Sequence, residues 1–249
     1  MSGHSKWATI KRKKAATDSA RGATFSRIIR EITIAARAGG GAPAANIRLR
    51  QAIDSAKGAN MPAANIERAV QRGTGEVEGA AYEEITYEGY GPSGVAFLVD
   101  TATDNRNRTA NEIRNLFSKN GGNLAEAGSV GWMFEPRGLI EVARGGLGDD
   151  ALLERAVEAG ADDVEFAGET ATVSTAPTTL DAVRKALVAV GMTVVSAELT
   201  KIPTTTVELD EKAAATALKL VDLLEGQDDV QKVHANFQIS DDILAKLAP

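Results

Sequence analysis

The chain contains no cysteine, and its histidines are only two, His4 and His234. The first absence rules out disulfides, thiolate nucleophiles and cysteine-built zinc sites. The second leaves little for general acid–base work. His4 lies in a basic N-terminal stretch and His234 on the polar side of an alternating strand pattern. Neither has a serine in a nucleophile setting, and no metal-ligand spacing occurs. Aromatic residues make up 4% of the chain. No run of about 18 apolar residues is present, so no membrane span is expected. The basic N-terminal residues have no apolar stretch behind them, so no secretory signal is expected either. The carboxylates are spread over helix surfaces and read as solubilising charge. These absences together point to a cytoplasmic, non-enzymatic protein with no cofactor or metal.

What is present is a steep division of charge. Residues 1–75 hold 14 Lys and Arg against 4 Asp and Glu, a balance of +10; residues 76–249 hold 14 basic and 30 acidic residues, a balance of −16. Such asymmetry suggests a nucleic-acid-facing end on an acidic body. No strongly apolar face accompanies the basic end, so a membrane surface is not expected as its partner.

The pattern along the 249 residues divides into segments. Residues 1–20 are basic and poor in bulky apolar groups, which suits a flexible arm that orders on a partner. Residues 21–75 read as three amphipathic helices. Phe25, Ile28, Ile29, Ile32 and Ala36 form the first stripe, with Arg27, Arg30 and Arg37 opposite. Ile34 falls among those arginines and suggests contact with a neighbouring helix. Asn46 looks like an N-cap for Leu49, Ala52, Ile53 and Ala56. Pro62 suits the first turn of a third helix carrying Ile66, Ala69 and Val70, closed by Gly73.

Beyond a linker, strands alternate with helices. Tyr82–Tyr90 and Val95–Thr101 form a hairpin, Thr109 and Glu112 fit a capping box, and Ser129–Phe134 reads as another strand. Pro136 and Pro203 mark breaks around two strand–helix–strand units, and Val230–Ile239 alternates as one half-buried strand. The expected class is α+β: an N-terminal three-helix domain followed by two ferredoxin-like α+β domains, one inserted into the other. Residues 82–135 plus 204–240 would make a discontinuous domain and residues 136–203 the insertion.

Four motifs could carry function. Lys11, Arg12, Lys13 and Lys14, with Lys6 and Trp7 upstream, could neutralise phosphates while the indole stacks on a base; the alternative is a solvated charged tail. Asn65, Arg68 and Arg72 share a face of the third helix and could bind phosphates or remain an ordinary solvated face. Asp104, Asn105, Arg106, Asn107 and Arg108 precede a helix, where backbone amides could hold an anion, although local capping explains such residues equally. Gly89, Gly91 and Gly94 join two strands rather than a strand and a helix, so the nucleotide-loop fingerprint fails.

The strings Gly3–Ile32, Asn60–Pro62, Asn65–Ala69, Arg72–Glu76, Tyr87–Pro92, Thr103–Thr109 and Gly128–Glu135 together resemble the YebC/PmpR family. Its mitochondrial relatives include the translational activator of cytochrome c oxidase subunit I. The resemblance implies three domains and a nucleic-acid-directed regulatory role, either as a transcriptional regulator on duplex DNA or as a translation factor on ribosomal RNA or tRNA. This chain departs from the family's pattern at Ala42-Pro43, at Ile47, and at Ala63, where the family carries a lysine after Met-Pro. Protein partners for the acidic domains remain a third possibility.

Overall fold

The structure is a computed structural model that describes residues 18–247. Helix α1 (Asp18–Gly39) is amphipathic twice over. Its stripe of Phe25, Ile28, Ile29, Ile32 and Ala36 packs on α2 (Ile47–Gly58) and α3 (Ala63–Thr74), with Leu49, Ala52, Ala56, Ile66 and Ala69 completing the bundle core. Ile34, only 6% exposed, lies outside that core. It shares a helix face with Arg30 and Arg27, one and two turns before it.

Asn46 joins two helix ends. Its side-chain oxygen accepts from the Leu49 amide at 3.0 Å, capping α2, while Nδ2 donates to the carbonyls of Ala35 and Gly40 at the end of α1. One buried amide thereby satisfies three of the backbone groups that helix termini leave open. At the other end of the bundle the expectation from sequence needs correction. Gly73 does not close α3; the helix runs on to Thr74 and Gly75 caps it at φ 83°. Gly73 is instead the point of closest approach to α1, where a Cβ would overlap the Thr33 carbonyl oxygen and stand 2.6 Å from the Ala36 Cβ. Pro62 likewise precedes α3 as its N-cap.

Strands β1 (Glu83–Tyr90) and β2 (Ala96–Thr103) form the hairpin, followed by α4 (Arg106–Lys119) and the short β3 (Asn123–Leu124). After the intervening unit come β8 (Val207–Glu208), α7 (Glu211–Glu225), β9 (Val230–Ala235), β10 (Phe237–Gln238) and α8 (Asp241–Leu247). The sheet order is β3-β1-β2-β9, antiparallel throughout, and β8 pairs with β10 in parallel. Phe97, Val99, Val233 and Ala235 on one face bury against Ile113 and Phe117 of α4 and Leu220 and Leu224 of α7. Phe97 and Phe117 meet edge to face, with centroids 5.7 Å apart. Gly89 leaves room for this packing, since a Cβ there would lie 2.8 Å from the Phe117 ring. The expected strand over Val230–Ile239 is interrupted at Asn236, whose side-chain oxygen accepts from the Ala96 amide and whose backbone carbonyl accepts from Val207. His234, expected on a polar face, is buried with Nε2 3.2 Å from Asp100.

Residues 133–204 form a compact unit of their own. Within it run β4 (Phe134–Ala143), α5 (Asp149–Glu158), β5 (Asp163–Ala167), β6 (Thr170–Thr175), α6 (Leu180–Ala189) and β7 (Thr193–Pro203). The antiparallel order β5-β6-β4-β7 is the ferredoxin-like arrangement. Leu152 and Ala156 of α5 and Val183 and Leu187 of α6 pack on Ile140, Val142, Ala171 and Val173. The two prolines read as breaks lie within strands. Pro136 pairs with Lys201 and Pro203 with Phe134, in a two-stranded extension beyond the stretch of β4 that pairs with β6. A proline is tolerated there because one edge of the ribbon has no further ladder to donate to. Among the described residues no helix is long and apolar enough to cross a membrane.

Candidate nucleic-acid interface

The bundle places its cations in two distinct environments. Arg37, Lys57, Arg68 and Arg72 are exposed, as is Asn65, and none of the four cations makes an ion pair among the described residues. Arg27 and Arg30, expected to project with Arg37, instead turn toward the α+β body. Arg30 donates to the Asp228 carbonyl, pairs with Asp229 at 3.3 Å and stacks over Tyr82 at 5.6 Å from the ring centroid. Its side chain is 16% exposed. Burial pushes the Arg27 guanidinium below its usual range, opposed by the nearby carboxylates of Glu225 and Asp228. Ile34 belongs to this second face, which accounts for an aliphatic residue among arginines. Arg48 adds a bidentate pair to Glu31 and another to Glu84 of β1, which hold its pKa well above the ordinary value. Lys6, Trp7, Lys11, Arg12, Lys13 and Lys14 lie outside the described residues.

Asp229, on the turn before β9, is the centre of this docking and is 2% exposed. Besides Arg30 it accepts from Arg108 Nη2 at 2.7 Å, Thr109 Oγ1 at 2.6 Å and Thr103 Oγ1 at 3.2 Å. Burial alone would raise its pKa, but hydrogen bonds from Arg108 and Thr109 and the charges of Arg108 and Arg30 hold it below the usual carboxylate value. The stretch Thr103–Thr109 is thereby accounted for by internal contacts at several of its positions. Asn105, not Thr109, caps α4, accepting from the Arg108 amide at 3.1 Å. Thr109 sits inside the helix, so the expected capping box does not form and a single Asn105 cap one turn earlier takes its place. Asp104 pairs with Arg108 at 2.9 Å. Arg106 and Asn107 remain exposed.

A second carboxylate was not singled out from the sequence. Glu88 of β1 accepts backbone amides from Gly128, Val130 and Gly131 at 2.7, 2.6 and 2.8 Å. Burial works against the charge, but these amides outweigh it and lower the Glu88 pKa. Drawing three amides of one short run onto one anion folds residues 126–133 into a loop with a 3-10 turn at Gly131–Met133, in place of the strand expected over Ser129–Phe134. The loop presents Trp132, 68% exposed, with its indole N–H donating to the Ser129 carbonyl. The signal available in the sequence was an acidic residue inside a strand pattern paired with a glycine-rich run, and it is too common to act on alone.

Comparison with known proteins agrees over almost the full chain. Residues 5–76 match the model of the TACO1/YebC protein N-terminal domain, and residues 82–237 match that of the TACO1/YebC second and third domain. A probable transcriptional regulatory protein from Chlorobaculum tepidum is 54% identical over 248 residues, 99% of each chain. Another from Desulfotalea psychrophila is 54% identical over the whole of both chains. The crystal structure of a conserved hypothetical protein from Aquifex aeolicus superposes with a TM-score of 0.84 at 48% identity, covering 93% of this chain and 96% of that one. The chain belongs to the TACO1/YebC family.

Proposed function

We propose that this protein is a non-enzymatic regulator of gene expression that binds RNA at the ribosome through its basic N-terminal segment and the helical bundle. The observation that carries this reading is the separation of charge. Arg37, Lys57, Arg68 and Arg72 stand exposed on a bundle that joins the Lys11–Lys14 cluster to an acidic body. Neutralising phosphates with such cations releases counterions, which makes affinity strongly salt-dependent. The start of α3 is poorly equipped to read a major groove. Ala63 and Ala64 are exposed methyl groups that cannot hydrogen-bond to base edges, which leaves Asn65 to do so in the first turn.

A second reading is a DNA-binding transcriptional regulator. Its support is that relatives of 53–56% identity are named probable transcriptional regulatory proteins. Binding to structured RNA and to duplex DNA over a salt series separates the two. The RNA reading expects tighter binding to RNA than to unrelated duplexes of the same length. It also expects the log–log salt slope on a duplex to shrink when Lys11, Arg12, Lys13 and Lys14 become alanine, by roughly 0.9 for each phosphate that is no longer neutralised. Duplex binding that selects one sequence by about a thousandfold or more over others would establish the second reading instead.

A further inference from the structure

Helix α4 is anomalous in the acidic part of the chain. Arg106, Arg108, Arg114 and Lys119 are four of the 14 cations in residues 76–249, against a single acid, Glu112, within the helix. That acid already accepts from Gln227 Nε2 at 2.5 Å. The inner face of α4 is Thr109, Ile113 and Phe117. Its outer arc, at about 100° per residue, is Asn107, Asn111, Arg114, Asn115 and Ser118, all exposed and free of any carboxylate.

The hydrogen bonding within this arc gives it a polarity. Arg114 Nη1 donates to Asn111 Oδ1 at 3.0 Å. The side-chain acceptor of Asn111 is therefore engaged by Arg114, while its NH2 and the remaining guanidinium donors of Arg114 stay available on this exposed arc. A donor-rich patch suits phosphate oxygens. Asn107 and Asn115 flank it, each offering donor and acceptor in one side chain, which fits the 2′-hydroxyl of RNA and has no counterpart on a DNA sugar. Asn107, Asn111 and Asn115 succeed one another at a rise of about 6 Å along the helix, comparable to the step between phosphates along a strand.

We propose that this outer face of α4 is a second RNA-backbone contact, working alongside the bundle. The proposal rests on the RNA reading above and adds a surface to it. Asp229 supplies the mechanical link: it holds Arg108 of α4 and Arg30 of α1 with one carboxylate, so the bundle and α4 are tied to the same turn. The two surfaces are thereby held at a fixed offset from each other.

The test compares the full-length protein with two variants, Asn111→Asp/Arg114→Glu on α4 and Arg68→Glu/Arg72→Glu on the bundle. Binding is read by fluorescence anisotropy against a short A-form RNA duplex and a DNA duplex of the same sequence. All four positions are exposed, and thermal midpoints within a degree or so of wild type check the fold. The expected result is a loss of RNA affinity of about tenfold or more for the α4 variant, the equivalent of one charge-assisted hydrogen bond, with a smaller loss on DNA. Loss for the bundle variant with unchanged affinity for the α4 variant would overturn this proposal and leave the RNA reading standing. Equal losses on RNA and DNA for the α4 variant would overturn the assignment to RNA. A wild-type protein that binds neither nucleic acid would overturn the underlying reading and this proposal with it.

Discussion

Replacing Asp229 with alanine tests the docking of the bundle on the α+β body. Removing one member of a buried ion pair costs about 3–5 kcal/mol when the remaining charge is stranded. Here the stranding is incomplete. Arg30 keeps the Asp228 carbonyl and the Tyr82 ring, and Arg108, 43% exposed, keeps Asp104 and solvent. Thr109 can turn its hydroxyl to the Asn105 carbonyl at 3.1 Å, and Thr103 can then donate to Thr109 Oγ1 at 2.8 Å, so both hydroxyls keep an acceptor. The net cost is therefore nearer about 2–3 kcal/mol, counting the charge-assisted hydrogen bonds to the carboxylate that are only partly replaced and a weakened pair. In a chain of this size that lowers the thermal midpoint by roughly 4–12 °C. Calorimetry of the variant measures it, and a double-mutant cycle with Arg30→Ala isolates the coupling between bundle and body. A midpoint within one degree of wild type would refute the reasoning. So would a destabilised variant whose cycle with Arg30 shows no coupling, because the node would then be local to α4.

Four further outcomes follow from the same side chains. Gly73→Ala should destabilise by about 1–3 kcal/mol through its clash with Thr33 and Ala36, even though alanine favours helix by about 1 kcal/mol; a stabilised variant in urea unfolding would contradict the close approach. Asn46→Ala removes one cap and two carbonyl partners, and should cost about 2 kcal/mol or more in the same assay. With Trp7→Phe as background, Trp132 is the single tryptophan, and Glu88→Gln should lower its fluorescence anisotropy by freeing the loop; unchanged anisotropy would mean the loop holds without the carboxylate. Asp229 and Glu88 both have lowered folded pKa values, so their contribution is fully present above the ordinary carboxylate value of about 4 and lost as pH falls through the folded values. Stability should be flat from about pH 5 to 7 and drop below about 4, and Asp229→Ala should shallow that drop.

Local periodicity made much of the fold legible. The three helical stripes, the hairpin turn and the strand–helix alternation all rest on neighbours within a few residues, and Asn46 was readable for the same reason. What escaped depended on partners distant in sequence. An arginine on the polar side of a helix looks alike whether it faces solvent, as Arg37 does, or an acid beyond α7, as Arg30 does. Ile34 was the clue, since an aliphatic residue among arginines implies a second buried face. Gly73 and Gly75 are indistinguishable as stop signals until the approach of α1 is known. Prolines 136 and 203 suggested breaks because sequence does not reveal which edge of a strand lacks a neighbour. Asn236 interrupts a run whose alternation is otherwise regular.

For the interface, the cations were visible but their availability was not. Arg27 and Arg30 are turned into the protein and Arg108 is paired with Asp229 and Asp104, whereas Arg37, Arg68 and Arg72 are exposed and make no ion pair among the described residues. The outer arc of α4 was touched only at its first turn, where the run of polar residues drew attention to capping, and its donor-rich centre at Asn111 and Arg114 becomes apparent only when the helix faces are assigned.

The most direct test of RNA binding at the ribosome is sedimentation of lysate through a sucrose gradient over a salt series. Wild-type protein is tracked beside a variant lacking residues 1–17 and the Arg68→Glu/Arg72→Glu variant. The account expects wild type to travel with ribosomal particles at low salt and to leave them as salt rises, and both variants to remain near the top. Wild-type protein that stays at the top at every salt, or variants that sediment as wild type does, would contradict it.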